Sequence, residues 1–305
     1  MLKLFIPVLI YIGAIVGAGF ASGTEIAVFF GLDPSGFAIP VAGFLFTLTS
    51  YRIFTDLKKY NINSYEHYLK EKTYIFAPFF HIISMLFCCA SYGIMVSGVN
   101  TVFENYNIHF GGIIFAIICF AIFICDLKGV EIVNIISTPL IISGMLLTGI
   151  RCAPVFANQA LKTTYYVAYN ILSCLPVLCS LGIYIKNKRQ SVFVSVTSGL
   201  ILTLLMLTVN FATPLDYGHM PMLTAAQNSG FGIYYSVVLI LAMLTTAVSS
   251  GFGFIKSTKL KPVYSNIILF ITSVIMLSFG FAPLVEKIFV FFGILSTSLL
   301  IFIIF

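Results

Sequence analysis

Residues 13 to 25, GAIVGAGFASGTE, place four glycines and an ionisable Glu25 inside the first apolar run of the chain. At 100° per residue, Gly13 and Gly17 share one helical face, while Gly19 and Gly23 share another roughly 120° away. A single close-packed glycine stripe therefore does not account for all four. Each also costs about 1 kcal/mol in a helix interior. The cluster points to an unwound stretch around Val16–Gly19, and free amides and carbonyls at bilayer depth are tolerable only where they line a cavity or hold a ligand. The expected solute site is the exposed backbone at Gly17, Ala18 and Gly19 with the hydroxyl of Ser22. Amides of Gly19 to Gly23 offer a positive dipole end to a carboxylate. Carbonyls at the end of the inner half-helix, and those near Tyr169 and Asn170, offer acceptors to an ammonium group. A zwitterion suits both ends.

Other polar residues fall at matching depths. Asn170, Ser173 and Pro176 lie near the middle of a later apolar run, and a proline there removes one helical hydrogen bond. Tyr92 is at a depth where it caps the pocket or packs as an ordinary buried aromatic. Thr246, Ser249 and Ser250 stand at i, i+3 and i+4 on one helical face, and clusters of small hydroxyls commonly tie helices together. Glu25 has three roles open to it: coupling to a proton or cation, sitting solvated in a vestibule, or helping to cap the outer half-helix. His81 reads as a structural histidine. Cys88, Cys89, Cys119, Cys125, Cys174 and Cys179 lie in or beside apolar runs and read as packing residues, with no disulfide framework.

These residues need membrane helices to hold them. Sixty per cent of the 305 residues are hydrophobic and 9% are charged, against about a quarter charged in a soluble domain. No cleavable signal is expected, because the first apolar run continues to Phe30. Apolar runs predict ten spans, at about 4–31, 36–55, 76–99, 111–126, 131–150, 164–185, 191–212, 229–254, 262–281 and 287–305. With the N-terminus inside, only Arg151, Lys162 and Lys287 of the 16 basic residues fall on the outer side. The positive-inside rule thus supports the count and puts both termini in the cytoplasm of a cell-membrane protein. The net charge of +6 is a product of topology, and a nucleic-acid partner is excluded.

Ten spans divide into halves of five, residues 1–150 and 151–305, forming one integral membrane domain. Five is odd, so a repeat of the first half must be inserted upside down. Such inverted repeats are typical of secondary transporters, in which broken helices at matching positions form a midplane site. The expected fold is therefore an all-α polytopic 5+5 inverted repeat, with span 1 interrupted at Val16–Gly19 and span 6 at Asn170–Pro176.

The stretch GAIVGAGFASGTEIAVFF resembles the start of the YkvI-like membrane proteins, relatives of branched-chain amino acid carriers in the amino acid–polyamine–organocation superfamily. KGVEIVN in span 5 and YVAYNILSCLPVLCSLG in span 6 are weaker echoes. The resemblance implies the leucine-transporter fold. It also implies a Na+ site formed by the carbonyls of Gly13, Val16 and Thr246 with the hydroxyls of Ser249 and Ser250; all-oxygen coordination suits a hard monovalent cation. Some proton-coupled relatives place a lysine of span 5 at that point, and span 5 here has none.

No phosphate-binding loop, HExxH or catalytic carboxylate pair is present, so no enzyme activity is expected. Na+ is the only small ion the site calls for, and no organic cofactor is implied. The expected function is a sodium-coupled secondary transporter of an amino acid or related small solute, with membrane lipid as its surroundings. The rival is a ligand-sensing receptor subunit on the same fold, as in spore germinant receptors.

Overall fold

The computed structural model describes residues 2–31, 37–62, 64–149, 160–212, 220–258 and 260–305. Arg151 and Lys259, two of the charges that orient the chain, lie outside them, as does the expected boundary at 150/151. Among the described residues the secondary structure is entirely helical. The first half holds α1 (Leu2–Ile15), α2 (Ala18–Ala21), α3 (Thr24–Phe30), α4 (Ala38–Lys59), α5 (Tyr65–Thr73), α6 (Ala77–Glu104), α7 (Gly111–Ile124) and α8 (Asp126–Gly149). The second holds α9 (Ala160–Ser180), α10 (Lys188–Ala212), α11 (Pro221–Asn228), α12 (Gly232–Ser257), α13 (Pro262–Leu277), α14 (Phe281–Leu284) and α15 (Val290–Ile304).

Among the described residues, seven helical runs are long and apolar enough to cross a membrane. Three shorter apolar helices, Phe5–Ile15, Gly111–Ile124 and Pro262–Leu277, stand where spans 1, 4 and 9 were expected. The chain is a helical membrane-spanning protein. Its outer surface carries Ile117, Phe120, Ile271 and Ile275 exposed on α7 and α13, a composition suited to lipid contact rather than water.

The core is layered from facing helices: α6 against α12, α4 against α10, α9 against α15 and α1 against α8. Short polar helices cover the two ends. Ser64 caps α5, its hydroxyl accepting from the His67 amide at 3.2 Å, and Asp56 pairs with Lys72 at 2.8 Å to hold α5 against the end of α4. His81 Nε2 meets the Ser257 carbonyl at 3.1 Å, tying the start of α6 to the end of α12. The described cysteines Cys88, Cys89, Cys119, Cys125, Cys174 and Cys179 are all free thiols.

Span 1 is broken between α1 and α2, at Val16 and Gly17. Span 6 is not. α9 runs unbroken through Asn170, Ser173 and Pro176 to Ser180, which corrects the expected interruption there. Residues 160–180 contain no glycine, so nothing favours departure from helical backbone. The polar side chains meanwhile bond back onto their own helix. Asn170 donates to the Tyr166 carbonyl at 2.9 Å, Ser173 to Asn170 at 2.9 Å, and the Cys174 thiol contacts Ile171 at 3.6 Å. Pro176 is thus absorbed as a defect inside a well-packed helix, which then tightens into a 3-10 turn at Leu181–Tyr184.

Candidate functional site

The break in span 1 is built from backbone. Val16 N–H still reaches Ile12 O at 2.7 Å, but Gly17 N–H turns to Ile15 O at 2.8 Å instead of to Gly13. Gly17 is extended, at φ −90° and ψ −171°. Among the described residues, the carbonyls of Gly13, Ala14 and Val16 receive no backbone N–H. Gly17 also lies so close to α12 that a Cβ would collide with Thr246 Oγ1.

A second turn follows at Ser22–Gly23, where Gly23 takes the left-handed conformation at φ 81° that glycine adopts without strain. Ser22 donates to Gly19 O at 3.0 Å and to Thr24 Oγ1 at 2.8 Å. Its side chain therefore serves this turn. The amides of Ala21, Ser22 and Gly23 are taken by Gly17, Ala18 and Phe20 carbonyls, so the anion-binding end expected from Gly19 to Gly23 is largely consumed. Two contacts clamp the turn from the second half: Tyr235 donates to Ala21 O at 2.7 Å, and Met222 N–H to Ser22 O at 2.9 Å.

Glu25 folds back over Gly19. A Cβ on Gly19 would strike its carboxylate. Buried Glu25 accepts from the Tyr169 hydroxyl at 2.6 Å, linking α3 to α9. Its solvated-vestibule role is thereby excluded.

Eight of the sequence-derived residues line one narrow pocket of about 30 Å³: Gly17, Glu25, Tyr169, Asn170, Ser173, Thr246, Ser249 and Ser250. Its aromatic wall is Phe87, Tyr169 and Phe289, with ring centroids 5.1–5.8 Å apart. No lysine or arginine lines it. With Glu25 as its carboxyl group, the pocket as described offers acceptor oxygens to the ammonium end of a solute. Ala14, Ser173, Val177 and Ser249 also line a larger cavity of about 390 Å³, which reaches Ser64, Glu66, Lys256 and Ser257 at one end of the bundle.

The remaining residues are placed elsewhere. Ala18, Gly19 and Ser22 are absent from the pocket's described lining, and Gly19 lies directly behind Glu25. Tyr92 faces Phe123 of α7, 6.0 Å between centroids, and borders a different cavity on the lipid side with Phe120 and Ile267. The residues of α6 that line the pocket are Phe87 and Ser91, the latter Tyr92's neighbour. Depth along the span pointed to Tyr92, but one residue is 100° of helix, and depth alone does not tell which face meets the pocket.

The α12 hydroxyls diverge. Ser250 donates to Ser91 on α6 at 3.1 Å, whereas Ser249 accepts from Asn134 of α8 at 3.3 Å. Thr246 bonds back to Ala242 O at 3.1 Å, against Gly17. Gly13 packs on Asn134 and Thr138. Gly13, Asn134 and Ser249 are thus linked side by side where α1, α8 and α12 meet, with Thr246 against Gly17. Among the described residues no His, Cys, Asp or Glu cluster competes as a transition-metal site.

No described protein family's sequence profile matches the chain. One curated protein is similar over nearly its full length: "Uncharacterized protein YyaD" of Bacillus subtilis (strain 168), 25% identical over 320 residues, covering 96% of this chain and 94% of the relative.

Proposed function

We propose that the protein is a secondary transporter for an amino acid or related amine-bearing solute, coupled to sodium and working by alternating access. The observation that carries this is the broken span 1: its unpaired carbonyls adjoin a polar pocket that shares Ala14, Ser173, Val177 and Ser249 with a cavity reaching one end of the bundle. On its other side the pocket is crossed, among the described residues, by the Tyr235–Ala21, Met222–Ser22 and Tyr169–Glu25 bonds. A pocket open to one side and closed to the other is what alternating access requires.

We further propose the ten-span inverted repeat, with both termini cytoplasmic and the cavity facing inward. Packing supports it: contacts in one half have counterparts in the other. Span 1 on span 5 (α1·α8) mirrors span 6 on span 10 (α9·α15), and span 2 on span 6 (α4·α9) mirrors span 7 on span 1 (α10·α1). Span 3 on span 9 (α6·α13) mirrors span 8 on span 4 (α12·α7). α5 follows span 2 and touches spans 3 and 10, while α11 follows span 7 and touches spans 8 and 5. In this scheme Glu25 receives the solute's ammonium, the rings of Phe87, Tyr169 and Phe289 enclose its body, and Na+ binds beside Gly13, Val16, Thr246 and Ser249.

A thermal-shift screen of purified protein against amino acids and simple amines, with and without sodium, tests the reading. Stabilisation by a solute that strengthens with sodium is expected. Stabilisation indifferent to sodium favours the sensor alternative, and none by any solute rejects a small-solute site.

A further inference from the structure

Asn134 and Thr138 stand one helical turn apart on α8 and face Gly13 of α1. A Cβ on Gly13 would lie 3.0 Å from Asn134 Oδ1 and closer still to Thr138 Oγ1. Both side chains are buried, and neither oxygen has a hydrogen-bond partner.

Ordinary packing does not leave threonines in this state. Thr148 on the same helix donates to Gly144 O at 3.0 Å, and Thr203 and Thr208 on α10 bond back at 2.8 Å, the usual resort of a threonine in an apolar helix. Thr138 does not. The Asn134 amide is fixed in orientation, since its Nδ2 donates to Val130 O at 2.9 Å and to Ser249 Oγ at 3.3 Å. Flipping it would set Oδ1 against the Val130 carbonyl, acceptor against acceptor. Oδ1 is thereby committed to the Gly13 side, where the Gly13 carbonyl also lacks its helical partner.

We propose that Asn134 Oδ1 and Thr138 Oγ1 are side-chain ligands of the coupling cation, completing from α8 the site that Gly13 and Ser249 begin. The inference rests on the sodium-coupled reading. All four oxygens are neutral, which suits a hard monovalent ion; divalent calcium draws on carboxylates. Asn134 and Ser249 both line the 390 Å³ cavity, which gives the ion an entry path.

The test is the thermal unfolding midpoint of the full-length purified protein against sodium chloride, with choline chloride holding ionic strength constant. Thr138→Val removes one oxygen at nearly constant volume, and Asn134→Ala removes the other. Each is expected to raise the half-saturating sodium concentration about tenfold or more, the loss of one contact to a charged group. Thr148→Val, whose hydroxyl is already bonded within its helix, should leave that concentration unchanged. If Asn134→Ala does not fold, Thr138→Val decides alone. Saturable sodium stabilisation in the wild type with an unchanged midpoint in Thr138→Val overturns the assignment while leaving sodium coupling intact. A wild type with no sodium-dependent shift overturns sodium coupling itself, and this assignment with it.

Discussion

The Tyr169 hydroxyl donates to Glu25 Oε2 at 2.6 Å, so α3, the last piece of the broken first span, is fastened to an unbroken α9 through a buried carboxylate. Both residues line the pocket, and this bond forms part of its closure. Tyr169→Phe deletes the hydroxyl and keeps the ring among Phe29, Phe87 and Phe289. Leaving the buried carboxylate without this donor should cost about 1–3 kcal/mol. Thermal unfolding measures it, and an unchanged melting temperature would show that the bond does not hold the closure.

Gly19 is the seat of that carboxylate. Gly19→Ala should destabilise the protein by about 1–3 kcal/mol through overpacking. The penalty should largely vanish in a Glu25→Ala background, where the obstructing group is gone. A double-mutant cycle on melting temperatures reads this coupling directly. Equal penalties in the two backgrounds would mean that Gly19 is there for helix packing alone.

Ser250 and Ser91 form an isolated pair between α12 and α6. Ser250→Ala and Ser91→Ala should each cost about 0.5–1.5 kcal/mol, and the double variant little more than either single one. Strictly additive losses would show that the two hydroxyls act separately and return Ser250 to the ion site.

The sequence made the first break legible because glycine spacing carries it: no one helical face explains Gly13, Gly17, Gly19 and Gly23 together. Why Gly19 is a glycine was not legible, since that depends on Glu25 folding back six residues later. Pro176 misled for a related reason. A proline reports only a missing hydrogen bond, and whether the helix breaks depends on neighbours that in α9 are Tyr166, Leu172 and Leu175, all buried. In the sequence Asn134 and Thr138 are two polar residues within an apolar helix. Their i, i+4 spacing was visible, but the glycine they face lies more than a hundred residues away in the chain.

Ser180 lies exposed on the wall of the larger cavity, near the end where Lys256 and Ser257 stand. In a background with the native cysteines replaced, Ser180→Cys should react with a membrane-impermeant maleimide in inside-out vesicles and not in intact cells. Labelling from outside would invert the orientation that positive-inside counting assigns.

Sodium-driven solute movement is most directly measured as current on a solid-supported membrane carrying proteoliposomes. The assay adds the solute selected by thermal shift, with sodium present or replaced by choline. With sodium, we expect a transient inward positive current that saturates with solute; with choline it should be lost, and Thr138→Val should require more sodium to restore it. A solute that binds in the thermal assay yet produces neither current nor uptake, with or without sodium, would contradict transport and identify the pocket as a sensor's.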